Sequence, residues 1–184
     1  MRWLKDEMFI RGKCPMTKFE VRMVTLGMLE IESGDTFLDI GAGTGSVSVE
    51  AALQGAAVYA IEKEAEGVWL IRANAERFGA VLNIIQEAAP EGMHSVPHFN
   101  KCFIGGSGGQ LKSIFEAVHQ RIDAGGIVAA NFVTLRNLQV FQQLLKAYHY
   151  ENTETKLIQV SAADHKTGIM KAQNPVFIVK GVKH

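Results

Sequence analysis

Apolar positions change their period several times along the chain, and the changes mark out alternating strands and helices. Thr36-Phe-Leu-Asp-Ile40 is a short apolar run that stops at glycines, which predicts a buried strand. Residues 57–61, 81–86, 101–105 and 126–132 predict four more. Between them the apolar residues recur at helical spacing. Residues 46–54 follow the first strand; Val68, Ile71, Ala75 and Phe78 form the next face; Leu111, Ile114, Phe115, Val118 and Ile122 another; Leu135, Leu138, Phe141, Leu145 and Tyr148 the last. Ahead of the first strand, Val21, Val24 and Met28 predict a helix entered through Pro15-Met-Thr17-Lys-Phe-Glu20, with Thr17 and Glu20 as a capping box, and Ser33-Gly34-Asp35 ends it. Residues 151–162 and 176–181 read as two strands with no helix between them, paired antiparallel at a sheet edge.

Strand–helix alternation predicts an α/β fold: a mostly parallel seven-stranded sheet with helices on both faces and an antiparallel edge strand. Ligands of such sheets bind beyond the carboxyl ends of the strands. Chemistry is therefore expected after Ile40, Ile61, Gln86, Gly105 and Phe132.

Composition narrows the partners. The 184 residues are 47% hydrophobic and 21% charged, an ordinary globular balance. A chain of this length buries roughly 70% of its unfolded surface, which suits one domain over residues 1–184. Nineteen basic residues cancel nineteen acidic ones, whereas a domain gripping phosphates is usually basic, so no nucleic-acid partner is expected. There is no run of about 18 apolar residues to span a membrane. Met1-Arg-Trp-Leu-Lys-Asp-Glu7 carries charge where a signal peptide has its apolar core. Two cysteines, Cys14 and Cys102, make no disulfide framework and point to a reducing cytoplasm. Pro97 breaks the helical spacing of His94 and His98, Glu116 and His119 read as a solvated pair, and His165 lies in a polar loop, so no metal site is expected.

The chemical signal is strongest at Leu38-Asp39-Ile40-Gly41-Ala42-Gly43-Thr44-Gly45-Ser46, between a predicted strand and a predicted helix. A dinucleotide fingerprint, G-x-G-x-x-G, requires its third glycine at position 46, which is Ser46; here it comes one residue early, at Gly45. G-x-G-x-G preceded by Asp39 looks like motif I of the class I S-adenosylmethionine (SAM) methyltransferases, in which the acidic residue faces the ammonium of the amino acid tail directly or through water. Glu62 ends the second strand, 21 residues after Gly41, where a carboxylate accepts both ribose hydroxyls of either cofactor type. After the third strand, Gln86-Glu-Ala-Ala-Pro-Glu91 has Ala88 where many methyltransferases carry an acidic residue for adenine, with Glu87 beside it.

The fourth strand runs into Phe103-Ile-Gly-Gly-Ser-Gly-Gly109. Methyltransferases of planar amino groups usually carry Asn/Asp-Pro-Pro-aromatic there. Four glycines and Ser107 make instead a low backbone floor for a large flat substrate. The Asn-Pro of the chain, Asn174-Pro175, is read as part of the last strand and away from that position.

Taken with Asp6-Glu-Met-Phe-Ile-Arg-Gly12, Pro15-Met-Thr-Lys18, Asp39–Ser48 and Asn174-Pro-Val-Phe177, these stretches resemble the decarboxylating precorrin methyltransferases of cobalamin biosynthesis, with the best match in the stand-alone C15-methyltransferase family of the cobalt-early pathway. The resemblance runs across nearly the whole chain. It implies a Rossmann-like class I methyltransferase fold and a carboxylate-rich, contracted tetrapyrrole substrate. The implied reaction is SAM-dependent methylation of C15 of (cobalt-)precorrin-6B with loss of CO2 from the C12 acetate. By motif match, Thr17, Asp39, Gly41, Ala42, Gly43, Thr44, Gly45, Glu62, Lys63, Ala88 and Ala89 line the cofactor site. Many carboxylates on such a substrate call for basic residues at the cleft, so Arg11, Lys13 and Lys18, in the lid segment and helix of residues 1–30, are read either as a clamp on them or as a solvated charged arm. Gly105, Gly106, Ser107 and Gly108 carry the substrate, with Ser107 as the candidate catalytic residue. The family also implies a homotetramer and, because fused relatives hold a second domain, a separate C5-methyltransferase. Three alternatives stay open: a SAM enzyme acting on RNA or protein, an NAD-dependent oxidoreductase, and a SAM-binding module without catalysis.

Overall fold

The computed structural model describes residues 3–184. Met1 and Arg2, which open both the charged start and the 1–30 segment, lie outside the described residues. Strands β1 (Thr36–Ile40), β2 (Ala57–Ile61) and β3 (Leu82–Ile85) alternate with helices α2 (Ser46–Leu53) and α3 (Ala65–Phe78), a 3-10 turn at Glu91–Ser95 leads to β4 (Phe99–Ile104), and helix α4 (Leu111–Arg121) joins β4 to β5 (Ile122–Phe132). Helix α1 (Phe19–Leu29) precedes them and α5 (Leu135–Ala147) follows. The chain closes with β6 (Glu151–Ile158), a short hairpin of β7 (Ser161–Ala163) and β8 (Met170–Ala172), and β9 (Val176–Val182).

The main sheet has seven strands in the order β3-β2-β1-β4-β5-β9-β6. The first five are parallel, as crossover helices require. Their side chains alternate between two apolar layers. Leu38, Ile40, Cys102, Ile104, Val128 and Ala130 face α4 and α5, whereas Phe37, Phe103, Ile127 and Ala129 face α1 and α2. Each such fully buried large side chain contributes about 1.5–3 kcal/mol.

Register fixes where ligands meet the sheet. Ile40 pairs with both Ile61 and Ile104, so β1, β2 and β4 end level. β9 runs antiparallel beside β5 with Phe177 opposite Phe132, which brings its start to that same edge.

Three expectations change. The antiparallel strand, β9, lies one place in from the edge; the edge strand is β6, which pairs antiparallel with β9. The expected 151–162 strand ends at Ile158, and the hairpin breaks off beyond it. Thr17 does not cap α1: Lys18 is the N-cap, without a side-chain bond, and the Thr17 carbonyl instead accepts from Arg22 Nη1 at 2.7 Å.

The N-terminal segment, read from sequence as a lid, is bonded to the body along residues 4–13. Leu4 N–H donates to Glu50 Oε1 at 2.8 Å, and Ile10 exchanges bonds with Asn74 at 2.7 and 3.0 Å. Arg22, fully buried, donates to the Leu4 carbonyl at 2.6 Å and pairs with Asp6 at 3.2 Å and Glu50 at 3.6 Å. Lys13 N–H donates to Glu66 Oε1 at 2.7 Å. The strap thus delivers residues 14–18 to the ligand edge of the sheet.

Candidate active site

A cavity of about 760 Å³ opens over the carboxyl ends of the parallel strands, within the size range of small-molecule sites. Its floor is backbone. Gly41, Gly43 and Gly45 all adopt left-handed φ, at 71°, 56° and 73°, which side chains resist. The N–H groups of Gly41 and Ala42 both donate to the Ile61 carbonyl, at 2.9 and 3.1 Å, and this folds the loop back over β2. A Cβ on Gly41 would stand 2.7 Å from the Gly106 oxygen, so the two glycine loops lie in direct backbone contact. Gly105 N–H completes the seam by donating to the Ile40 carbonyl at 2.9 Å.

One end of the cavity is acidic. Glu62, 8% exposed, accepts from Gly43 N–H at Oε2 and Glu64 N–H at Oε1, both at 2.9 Å. Those bonds hold the carboxylate rigid and leave further lone pairs for vicinal hydroxyls. Asp39 is buried beneath the glycine loop. Its Oδ2 accepts from Ser48 Oγ at 2.6 Å, while Oδ1 is buried without a partner. Burial, with repulsion from Glu62, pushes its carboxyl up to about 7 against the Ser48 bond. A buried carboxylate oxygen with no donor suits a cation. Glu64 and Glu87 also line this end. Cys14 lines it too; burial first, then Glu62, Glu66 and Glu64, raise its thiol, which disfavours the thiolate nucleophile.

The opposite end is neutral and polar. Gln110, Asn131, Gln173 and Asn174 line it with Ser107, beside the apolar Val21, Phe103, Val133 and Val176. Two lysines also line the cavity, Lys18 and Lys63, and Lys63 pairs with Glu64 at 3.5 Å.

Of the residues singled out in the sequence, Thr17, Lys18, Asp39, Gly41, Ala42, Gly43, Glu62, Lys63, Ala88, Ala89 and Gly105 to Gly108 line this one cavity. Thr44 and Gly45 lie behind it: the Thr44 carbonyl accepts from Asn74 Nδ2 at 2.9 Å, and Gly45 packs on Ile71. Arg11 and Lys13 stand outside its wall; Arg11 is exposed and near Asp6 at 3.9 Å. His165 sits in the hairpin turn closed by Asp164, away from the lining.

The sequence reading missed the wall built by Asn131, Gln173 and Asn174. Asn174-Pro175 precedes β9 rather than lying in it, and the antiparallel run of β9 carries it to the ligand edge. For Asn131 a signal existed, a lone polar residue in the apolar end of a strand. Among the described residues no three His, Cys, Asp or Glu side chains converge as a metal site, and no helix is long and apolar enough to cross a membrane.

Comparison with known proteins gives this arrangement a family. A protein of Pyrobaculum calidifontis, named probable cobalt-precorrin-6B C(15)-methyltransferase (decarboxylating), is 38% identical, with 96% of this chain and 93% of that protein aligned. A Salmonella typhi protein named cobalt-precorrin-6B C(15)-methyltransferase (decarboxylating) is 34% identical, with 96% and 94% aligned. The crystal structure of a precorrin-6y C5,15-methyltransferase from Geobacter metallireducens superposes with a TM-score of 0.93 at 33% identity, covering 98% of this chain and 97% of that one. The precorrin methyltransferase domain model matches residues 7–182, and the chain belongs to that family.

Proposed function

We propose that this protein is a SAM-dependent C-methyltransferase that methylates C15 of (cobalt-)precorrin-6B and removes CO2 from its C12 acetate, giving (cobalt-)precorrin-7 in cobalamin biosynthesis. The observation that carries the reading is a single cavity with an acidic end and a neutral, amide-lined end, joined by a floor of bare glycine backbone.

The acidic end fits SAM. The unpartnered Asp39 Oδ1 suits its ammonium or a bridging water, Glu62 its ribose hydroxyls, and the Gly41–Gly43 backbone a close approach of its amino acid tail. Ala88 and Ala89 offer no side-chain acceptor to adenine, so the contact falls to backbone or to Glu87. When bound, the cofactor supplies a methyl group on a sulfonium. The chain's own contribution is to hold the acceptor carbon in line with that methyl, and good orientation is worth roughly 7–11 kcal/mol.

The glycine floor at Gly105 to Gly108 supports a flat macrocycle, and the Ser107 hydroxyl donates to a carboxylate or a water above it. Lys18 draws in the substrate's carboxylates. In this reading the whole chain acts as one methyltransferase unit, a separate enzyme methylates C5, and two free cysteines suit the cytoplasm. Exposed Leu157, Ile169 and Met170 on β6 and the hairpin offer a surface for the homotetramer.

The test is anaerobic incubation with labelled SAM and cobalt-precorrin-6B, read by mass. Gain of one methyl with loss of one CO2 is expected. An unchanged tetrapyrrole, or a thermal shift with NAD in place of SAM, overturns the reading.

A further inference from the structure

Asn131 is the polar residue among the six that end β5. Its position has two features that packing alone does not require. Thr25 Oγ1, on the fully buried Thr25 of α1, donates to Asn131 Oδ1 at 3.3 Å. With Oδ1 so engaged, the Nδ2 donors have no acceptor among the described residues, and Asn131 lines the cavity. The same face of the sheet carries Phe103 into the cavity wall, and α1 adds Val21. An oriented neutral donor therefore stands against apolar neighbours, at the end opposite Glu62 and Asp39.

The chemistry of CO2 loss asks for such a place. The carboxylate sheds its charge as the bond breaks, so a cation gripping it stabilises the starting state more than the transition state. Apolar walls that strip its water work in the favourable direction. A neutral amide orients the group at smaller cost to the barrier. Lys18 is better suited to carboxylates that stay.

Resting on the proposed function, we infer that Asn131 Nδ2 holds the acetate carboxylate that departs, and that Thr25 is its positioning residue. In the step itself, the bond between the acetate methylene and its carboxyl carbon breaks. CO2 leaves without the electron pair, the conjugated macrocycle takes the pair up, and a proton from water at the methylene carbon completes a methyl group.

The experiment compares Asn131→Ala, Asn131→Asp, Thr25→Val and Thr25→Ser in the full chain, using SAM and cobalt-precorrin-6B labelled with 13C in its acetate carboxyls. Asn131→Ala slows CO2 release by up to about 100-fold through lost orientation of the acetate, the cost of a misplacement of about 1 Å. Its 13C isotope effect on release is held or raised, because bond cleavage is the step affected. Thr25→Val moves both in the same direction by a smaller factor, and Thr25→Ser restores them. Asn131→Asp weakens tetrapyrrole binding in an absorbance titration while SAM binding is kept, since carboxylate then faces carboxylate. If Asn131→Ala does not melt as the wild type does, the near-isosteric Thr25→Val carries the test. Wild-type CO2 release in Asn131→Ala and Thr25→Val overturns the inference, as does a lowered isotope effect, which would mean another step had slowed. If the wild type itself neither methylates nor decarboxylates the tetrapyrrole, the proposed function falls and this inference with it.

Discussion

Gly43 N–H donates to Glu62 Oε2 at 2.9 Å, so the carboxylate at the end of β2 and the glycine loop after β1 form one rigid unit. Gly67, in the first turn of α3, makes room for it: a Cβ there would stand 2.6 Å from Glu62 Cγ. Glu62→Gln replaces an ionised acceptor and is expected to weaken SAM binding by about 10- to 100-fold, the value of a hydrogen bond to a charged group. Gly67→Ala should act in the same direction by pushing Glu62 aside. Titration calorimetry with SAM checks both, and unaltered affinity in Glu62→Gln would remove Glu62 from the cofactor site.

Asp39 links the cofactor to pH. Its carboxyl sits at about 7, mainly through burial. A cation at Oδ1 favours the ionised form. SAM affinity should therefore be full above pH 7 and fall below it, by at most about tenfold per pH unit. For the ligand-free fold the sign is opposite. A raised acid pKa means that the folded state holds the proton longer than the unfolded one, so Asp39's contribution to stability is lost as pH rises from about 4 through about 7. Asp39→Asn should flatten both profiles. Calorimetric titrations and urea melts between pH 5.5 and 8.5 measure them, and a wild-type-like pH profile in Asp39→Asn would sink the assignment.

Legibility followed locality. β1 and β2 begin and end where the apolar runs Thr36–Ile40 and Ala57–Ile61 do, because a buried parallel strand needs an uninterrupted apolar stretch and glycines stop it. The glycine loop and Glu62 were legible because both belong to one strand–loop–helix–strand unit. The amide wall was not. Gln173 and Asn174 reach the cavity only because β9 inserts antiparallel between β5 and β6, and its partners on β5 lie more than 40 positions away. Thr17 misled for a different reason. Its residue type permits capping, yet the buried Arg22 guanidinium takes its carbonyl and sets the chain's path into α1.

The two glycine loops make contrasting mutants. Gly41 is left-handed, and its absent Cβ would meet the Gly106 backbone at 2.7–3.0 Å. Gly41→Ala should cost about 1–3 kcal/mol through overpacking and abolish SAM binding. A Cβ on Gly106 meets nothing within 4 Å. Gly106→Ala should melt as the wild type does and keep SAM, but raise the tetrapyrrole floor and weaken its binding. Denaturation and two separate ligand titrations distinguish the pair. Equal tetrapyrrole affinity in Gly106→Ala would show that the floor need not be bare.

The strap depends on a buried charge pair. Arg22 Nε and Glu50 Oε1 are 3.6 Å apart, with side chains 0% and 1% exposed, and Glu50 Oε2 lacks a partner. Glu50→Ala removes one of two carboxylates beside Arg22, Asp6 remaining at 3.2 Å, and leaves the Leu4 N–H without its acceptor, so it should cost about 1–3 kcal/mol. The double change Arg22→Met with Glu50→Leu should recover part of that loss while the Leu4 N–H bond stays broken. Urea unfolding of the single and double variants tests the pairing. A double variant no more stable than Glu50→Ala would argue that the strap's backbone bonds, not the charge pair, hold the segment.

Sequence alone groups Arg11, Lys13 and Lys18 as one basic clamp, and the structure separates them. Lys18 is half-buried in the cavity wall, whereas Lys13 is exposed with its backbone tied to Glu66. A lysine that meets a substrate carboxylate in a partly dry cavity loses more on reversal than one in open solvent, where pair energies are about 0–1 kcal/mol. Lys18→Glu is therefore expected to lower tetrapyrrole affinity by at least about tenfold, the effect of one charge-assisted hydrogen bond. Lys13→Glu should change it by no more than the exposed-pair limit of about fivefold. SAM binding should survive in both, since neither side chain touches Asp39 or Glu62. Absorbance titration with cobalt-precorrin-6B at low and high salt reads the difference, because added salt screens the exposed Lys13 far more than Lys18. Equal losses in the two variants would restore the whole N-terminal segment as the clamp.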